Sequence, residues 1–204
     1  MTLTFPEGDF KAYLFDCDGT IADSMPVHYI AWRQALAEFG CTNFTEELFY
    51  ALGGMPVGDV VAQLNQRDGL PIPVDRFARR KEDLYYGFIH QVRPVPEVLE
   101  QILLQHGKML FAVVSGSTRE SVVKCLEALG LLAYFDTLVC AGDYQRGKPA
   151  PDPFLLAASR LGVDPRNCLV FEDADIGIQS ATAAGMASIR IAQPHERVLA
   201  GISG

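Results

Sequence analysis

Positive charge is scarce in this 204-residue chain, where 17 Lys and Arg stand against 25 Asp and Glu and leave a net charge of −8. A nucleic-acid binder needs a basic face to displace counterions from phosphates, so that class is excluded. Paired cysteines are lacking too. Cys17, Cys41, Cys125, Cys140 and Cys168 form no C-x-x-C motif, and most sit inside apolar runs. Neither a zinc site nor a disulfide framework is expected, and a reducing, cytoplasmic setting is. No apolar run approaches the roughly 20 residues that cross a bilayer, and the opening MTLTFPEGDFK has no basic start followed by an apolar stretch, so neither membrane spans nor a signal peptide are expected. Internal repeats, the G-x-S-x-G elbow of serine hydrolases and the P-loop are missing as well. What is present is 49% hydrophobic residues against 21% charged, enough apolar material for a sizeable core.

That material is arranged in short strand-like runs, each followed by a polar turn and a helix-like segment. The runs cover residues 10–15, 109–114, 137–140, 168–171 and 187–191. Continuous apolar strands separated by helices predict an α/β fold, a Rossmann-like three-layer core with a parallel sheet covered on both faces. All carboxyl ends then lie on one edge, where open α/β sheets bind ligands. Asp16, Ser115, Lys148, Glu172 and Asp173 each follow a run or its turn, so they are predicted to converge. Over residues 22–92 the strand pattern gives way to helical periodicity. Met25, Tyr29, Trp32, Leu36 and Phe39 mark one helix face that Gly40 can end, and further helices are expected over 45–52, 57–67 and 74–92, punctuated by Gly53-Gly54 and the prolines at 71 and 73. The predicted organisation is a core of residues 1–21 and 93–204 with a helical cap of 22–92 inserted after the first strand.

The strand ends carry specific chemistry. In Asp16-Cys17-Asp18-Gly19-Thr20 two carboxylates stand two residues apart where Gly19 permits a tight turn; one can attack while the other handles a proton. Glu172-Asp173 ends another strand. Two like charges about 4 Å apart repel by roughly 4 kcal/mol at an effective dielectric near 20, so the group calls for a cation. All-oxygen ligands without a His or Cys motif select a hard ion, and Mg²⁺ tolerates a few carboxylates plus waters and a phosphate. Ser115-Gly116-Ser117 precedes a helix whose free N–H groups favour an anion. Each piece has a plainer reading: a polar turn for Asp16 and Asp18, an acidic helix start capped by Asp175 for Glu172-Asp173, an ordinary N-cap for the serines, a solvated loop lysine for Lys148. Together they are the parts of metal-assisted phosphoryl transfer.

In this order the residues resemble the haloacid dehalogenase (HAD) superfamily, with Asp16-Cys17-Asp18-Gly19-Thr20, Ser115, Lys148-Pro149 and Glu172-Asp173 like its four motifs. The cap position and residues 172–186 resemble the β-phosphoglucomutase-like subgroup, and within it the small bacterial phosphatases of fructose 1-phosphate and 6-phosphogluconate. The resemblance implies that Asp16 is a nucleophile forming an aspartyl phosphate, that Asp18 is the acid/base, and that Ser115 and Lys148 hold phosphoryl oxygens. It further implies that Mg²⁺ is bound by the Asp16 carboxylate, the Asp18 carbonyl and Asp173, with Glu172 a direct or outer ligand. Thr20, Gly116 and Ser117 are expected beside the substrate, as are Ser24, His28, Trp32 and Lys81 from the cap. His28, Trp32 and Lys81 also have plain readings, as a satisfied histidine, a core residue and part of a solvated Arg79-Arg80-Lys81 face.

The mutase's cap arginine has no counterpart, because Val57 stands in the matching segment Gly53-Gly54-Met55-Pro56-Val57-Gly58. A mutase must hold a bisphosphorylated intermediate, so hydrolysis is favoured. The expected activity is a Mg²⁺-dependent phosphatase of small phosphorylated metabolites, acting as a monomer with no nucleic-acid or membrane partner. The alternatives are a phosphosugar mutase and, less favoured, a non-catalytic binding module on the same scaffold.

Overall fold

The computed structural model describes residues 3–53, 55–193 and 196. The chain divides into two compact units, one of residues up to Asp23 together with those from Val92 onward, the other Ser24–Gln91. No helix among the described residues is long and apolar enough to cross a membrane.

The first unit is built on β1 (Ala12–Phe15), β2 (Leu110–Val114), β3 (Thr137–Val139), β4 (Cys168–Glu172) and β5 (Ala187–Arg190). These form one sheet in the order β3-β2-β1-β4-β5 with every pairing parallel, the α/β architecture read from the apolar runs. Side chains alternate faces along a strand, and both faces are buried. Ala12, Leu14, Ala112, Val114 and Val170 share one core cluster with Phe154 and Ala157 of α7 (Asp152–Leu161) and Ala181 of α8 (Asp175–Ala183). Tyr13, Phe15, Phe111 and Phe171 make an aromatic layer, in which Phe15 stacks on Phe171 at 4.6 Å between centroids. Leu110 at the start of β2 and Arg190 at the end of β5 are exposed. Two further α-helices of this unit are α5 (Pro96–Gln105) and α6 (Arg119–Ala128).

The second unit is helical, with α1 (Met25–Glu38), α2 (Glu46–Ala51), α3 (Val57–Asp68) and α4 (Val74–Phe88). Its interior is aromatic and aliphatic: Trp32, Leu36, Phe44, Phe49, Val60, Val61, Leu64 and Phe77 are buried together. Two details differ from the periodicity. The buried stripe of α1 is Val27, Ala31, Trp32, Ala35 and Leu36, while Met25, Tyr29 and Phe39 are only half-buried, because the two alanines let a neighbour approach between the larger side chains. The helix expected to run to residue 92 stops at Phe88 and tightens into a 3₁₀ turn, Ile89–Gln91. Gly54 of the expected Gly53-Gly54 break lies outside the described residues.

Candidate active site

Register sets the geometry. Phe15 of β1 pairs with Phe171 of β4 and Val113 of β2, so the next residue, Asp16, emerges beside Glu172, its N–H still donating to the Phe171 carbonyl at 3.0 Å. Asp16, Glu172 and Asp173 are all buried, and each offers a carboxylate oxygen within 4.8 Å of the others. Gly19 makes this approach possible. It takes φ +91°, and a Cβ there would collide with the Asp173 carboxylate. Gly177, in the first turns of α8, does the same for Glu172, whose carboxylate would meet any side chain at that position.

Lys148, on the loop between β3 and α7, reaches into this group. Its Nζ donates to Asp16 Oδ1 at 2.7 Å, to Glu172 Oε2 at 2.6 Å and to the Val114 carbonyl at 3.0 Å. Its side chain is 9% exposed, so the plain reading of a solvated loop lysine is wrong. The loop is fastened ahead of it. Asp143 accepts from Arg119 at 2.6 Å, from Arg160 at 3.1 Å and from the Cys140 N–H at 3.0 Å, and the Tyr144 hydroxyl donates to the Ser115 carbonyl at 3.1 Å.

One buried cation cannot compensate several buried carboxylates. Burial, with Glu172 beside it, pushes Asp16 up to about 7 despite Lys148. Burial and the Asp16 charge push Asp173 up to about 7, opposed by Thr20. Glu172 is also raised by burial, though Lys148 pulls the other way. Burial alone would make Lys148 easier to deprotonate, but Asp16 and Glu172 outweigh it and hold the ammonium charged. Asp173 is the least compensated of the acids, since its donors are the Thr20 hydroxyl at 3.2 Å and the Gln193 amide at 3.4 Å. Hard oxygen donors, buried and short of positive charge, fit a divalent cation of the Mg²⁺ kind.

Residues 13–191 match the profile of the haloacid dehalogenase-like hydrolases. The chain belongs to this family. It is 38% identical to the fructose-1-phosphate phosphatase YqaB of Escherichia coli over 185 residues, covering 89% of this chain and 96% of that protein. It is 28% identical to the β-phosphoglucomutase of Bacillus subtilis, covering 90% and 84% respectively. Among solved structures, CbbY from Rhodobacter sphaeroides in complex with phosphate superposes with a TM-score of 0.79 at 22% identity, covering 88% of this chain and 84% of that one, a likeness of fold.

The remaining candidates of this HAD-like hydrolase fall into two sets. In the sheet unit, Ser115 is buried at the end of β2, its N–H donating to the Val139 carbonyl at 2.9 Å and its Oγ accepting from the Ser117 N–H at 3.0 Å. Gly116 is exposed. The Ser117 hydroxyl donates to Asp18 Oδ2 at 2.8 Å, and Thr20 is spent on Asp173. Thr118, not Ser117, caps α6, accepting from the Ser121 N–H. Asp175 does not cap α8 either. It is the helix's exposed first residue, and the preceding Ala174 N–H is taken by Glu172 Oε1 at 3.2 Å, because the turn aims its acids inward.

In the helical unit, buried Ser24 precedes α1. His28 stacks on Tyr85 with centroids 4.0 Å apart and planes within 7°. Trp32 lies in the aromatic interior, 4.9 Å from Phe77 and 5.8 Å from Phe44. Lys81 is buried and paired with Glu82 at 2.6 Å.

Tyr144, Asp143 and Gln193 escaped the sequence reading. Gln193 had a usable signal, being a polar residue just past the last apolar run. Tyr144 and Asp143 act through a loop with no regular spacing, and nothing in their neighbours distinguishes them.

Proposed function

We propose that the chain is a Mg²⁺-dependent phosphatase of small phosphorylated sugars that carries the phosphoryl group transiently on Asp16. The observation that carries this reading is the buried group of Asp16, Glu172 and Asp173 around Lys148 at one edge of the sheet. Asp16 attacks phosphorus as its carboxylate, and the bond to the sugar oxygen breaks. Asp18 delivers a proton to the departing alkoxide, which is too basic to leave unaided. The ionised Asp18 then takes a proton from water as that water attacks the phosphoryl-Asp16, freeing phosphate and restoring both carboxyl groups. Lys148 and Ser115 hold phosphoryl oxygens, with Gly116 beside them, and Glu172 keeps Lys148 in place. Mg²⁺ held by the Asp16 and Asp173 carboxylates and the Asp18 carbonyl, with Glu172 adjoining, would offset the repulsion between a phosphate dianion and an anionic nucleophile.

The helical unit serves as a cap whose Ser24, His28 and Lys81 select the sugar, with Trp32 in its interior. The five buried, unpaired cysteines suit a cytoplasmic enzyme. The likeness to a β-phosphoglucomutase keeps mutase activity as the second reading. Against it, Val57 begins α3 and packs with the aliphatic interior of the helical unit, leaving no cationic fork there for a second phosphate.

The test is a panel of phosphosugars, fructose 1-phosphate included, assayed for phosphate release with Mg²⁺ and with EDTA. Mg²⁺-dependent release is the expected result. Accumulation of an isomeric sugar phosphate would establish the mutase instead, and saturable binding without turnover would overturn both.

A further inference from the structure

We propose that Ser117 is the positioning residue for Asp18, its hydroxyl holding that carboxyl group in place through both halves of the reaction. The inference rests on the acid/base reading of Asp18 given above and departs from the expectation that Ser117 contacts the substrate. The contact joins residues 99 apart in sequence, with Ser117 Oγ donating to Asp18 Oδ2 at 2.8 Å.

What makes Ser117 a fixed post is its backbone. Its N–H donates to Ser115 Oγ at 3.0 Å, and its carbonyl accepts from the Ala141 N–H at 3.0 Å. Both of its peptide polar groups are therefore engaged, one within the turn after β2 and the other with the loop after β3. Thr118 next to it caps α6. Asp18 is placed differently. It is half-buried on the segment leaving β1, just before the positive-φ Gly19, and its side chain has rotamers to lose. A hydroxyl mounted on two other strand-end loops removes that freedom and ties the acid/base to the same framework as Ser115 and Lys148.

The chemistry of the holder matters as well. A serine hydroxyl both donates and accepts. It can donate to Asp18 as a carboxylate and accept from it as a carboxylic acid, so it serves the residue before and after the proton is given up. A lysine there would favour the ionised form and oppose proton delivery.

Positioning and substrate contact predict different kinetics. Loss of a phosphate contact weakens every phosphate ester alike. In kcat/KM, loss of Asp18 positioning harms only esters whose leaving alcohol needs a proton, because 4-nitrophenolate departs without one; hydrolysis of phosphoryl-Asp16 is shared by both esters and is read in kcat. In a phosphoenzyme route kcat/KM reports the steps up to departure of the alcohol, so the comparison is direct.

The experiment measures kcat and kcat/KM of wild type, Ser117→Ala, Ser117→Thr and Asp18→Asn on the best phosphosugar of the panel and on 4-nitrophenyl phosphate. Ser117→Ala is expected to lose about tenfold in kcat/KM on the phosphosugar, mostly through kcat, and no more than about twofold on the aryl ester. The retained aryl activity doubles as proof of folding, and Ser117→Thr is expected to restore the phosphosugar rate. Equal losses in kcat/KM on both esters, a loss carried wholly by KM, or no loss on the phosphosugar would overturn the inference. Asp18→Asn with full phosphosugar activity would instead overturn the reading of Asp18 itself.

Discussion

The two units differ in how they hold buried charge: in the helical unit buried Lys81 is matched one to one by Glu82 at 2.6 Å. In the helical unit the ion pairs Arg80–Glu38 and Arg67–Asp68 lie toward solvent around an interior of Trp32, Phe44, Phe49 and Phe77. In the sheet unit Asp16, Lys148, Glu172 and Asp173 are buried against one another, with Asp16 and Asp173 raised to about 7. Exposed pairs add little to stability and need no particular partner. Buried ones are costly and persist where a function requires them. The contrast supports the proposal that the chemistry belongs to the sheet unit and the choice of substrate to the helical unit.

Asp16→Asn should break the contrast most severely. Turnover is expected to fall by about 10⁴-fold or more, the scale of nucleophile knockouts in other hydrolases, while circular dichroism and Tm show a retained fold. Tm is expected to be no lower than wild type without metal, since one of the crowded carboxylates becomes neutral.

Next in size are two core substitutions with different physics. Lys148→Met strands Asp16 and Glu172, a loss of about 3–5 kcal/mol at pH 8 that shrinks at pH 5 as the acids take up protons. Trp32→Ala opens a cavity in the helical unit and costs about 3–5 kcal/mol at either pH. Urea denaturation of each variant at both pH values separates a charge-based cost from an apolar one.

Metal should act on the sheet unit with a definite sign. The folded-state values of Asp16 and Asp173, about 7, lie above the roughly 4 of an unfolded carboxylate. The folded state therefore binds more protons between those values, and metal-free stability falls as pH rises from about 4 to about 7. Mg²⁺ needs the ionised carboxylates, so its stabilisation grows over the same range, reaching about 2.7 kcal/mol at a hundredfold excess over Kd. Melting curves with and without Mg²⁺ are expected to show a clear rise in Tm at pH 8 and little at pH 5; a pH-independent shift would contradict the site. Smallest of all, Arg80→Gln removes an exposed pair and should leave the urea midpoint unchanged within error.

The sheet unit was the more legible of the two in sequence. β1, β2 and β4 are unbroken apolar runs ended by a polar residue, so Asp16, Ser115 and Glu172 could be placed on one edge without knowing any contact. Partnership was less visible. Lys148 could be placed at the same edge, but the groups it meets show only once its loop, fastened through Asp143 and Tyr144, brings it to Asp16. In the helical unit the elements were readable from periodicity, but α1 buries Ala31 and Ala35 in preference to Met25 and Tyr29, because close helix approach rewards small side chains that a hydrophobic stripe does not single out.

The account stands on Asp16 acting as the attacking group, and acid-quenched turnover analysed by peptide mass spectrometry tests it most directly. A phosphoryl group on the peptide carrying Asp16, lost in Asp16→Asn, is the predicted result. Phosphate release with no protein-bound phosphoryl group, or with that group on another residue, would contradict it.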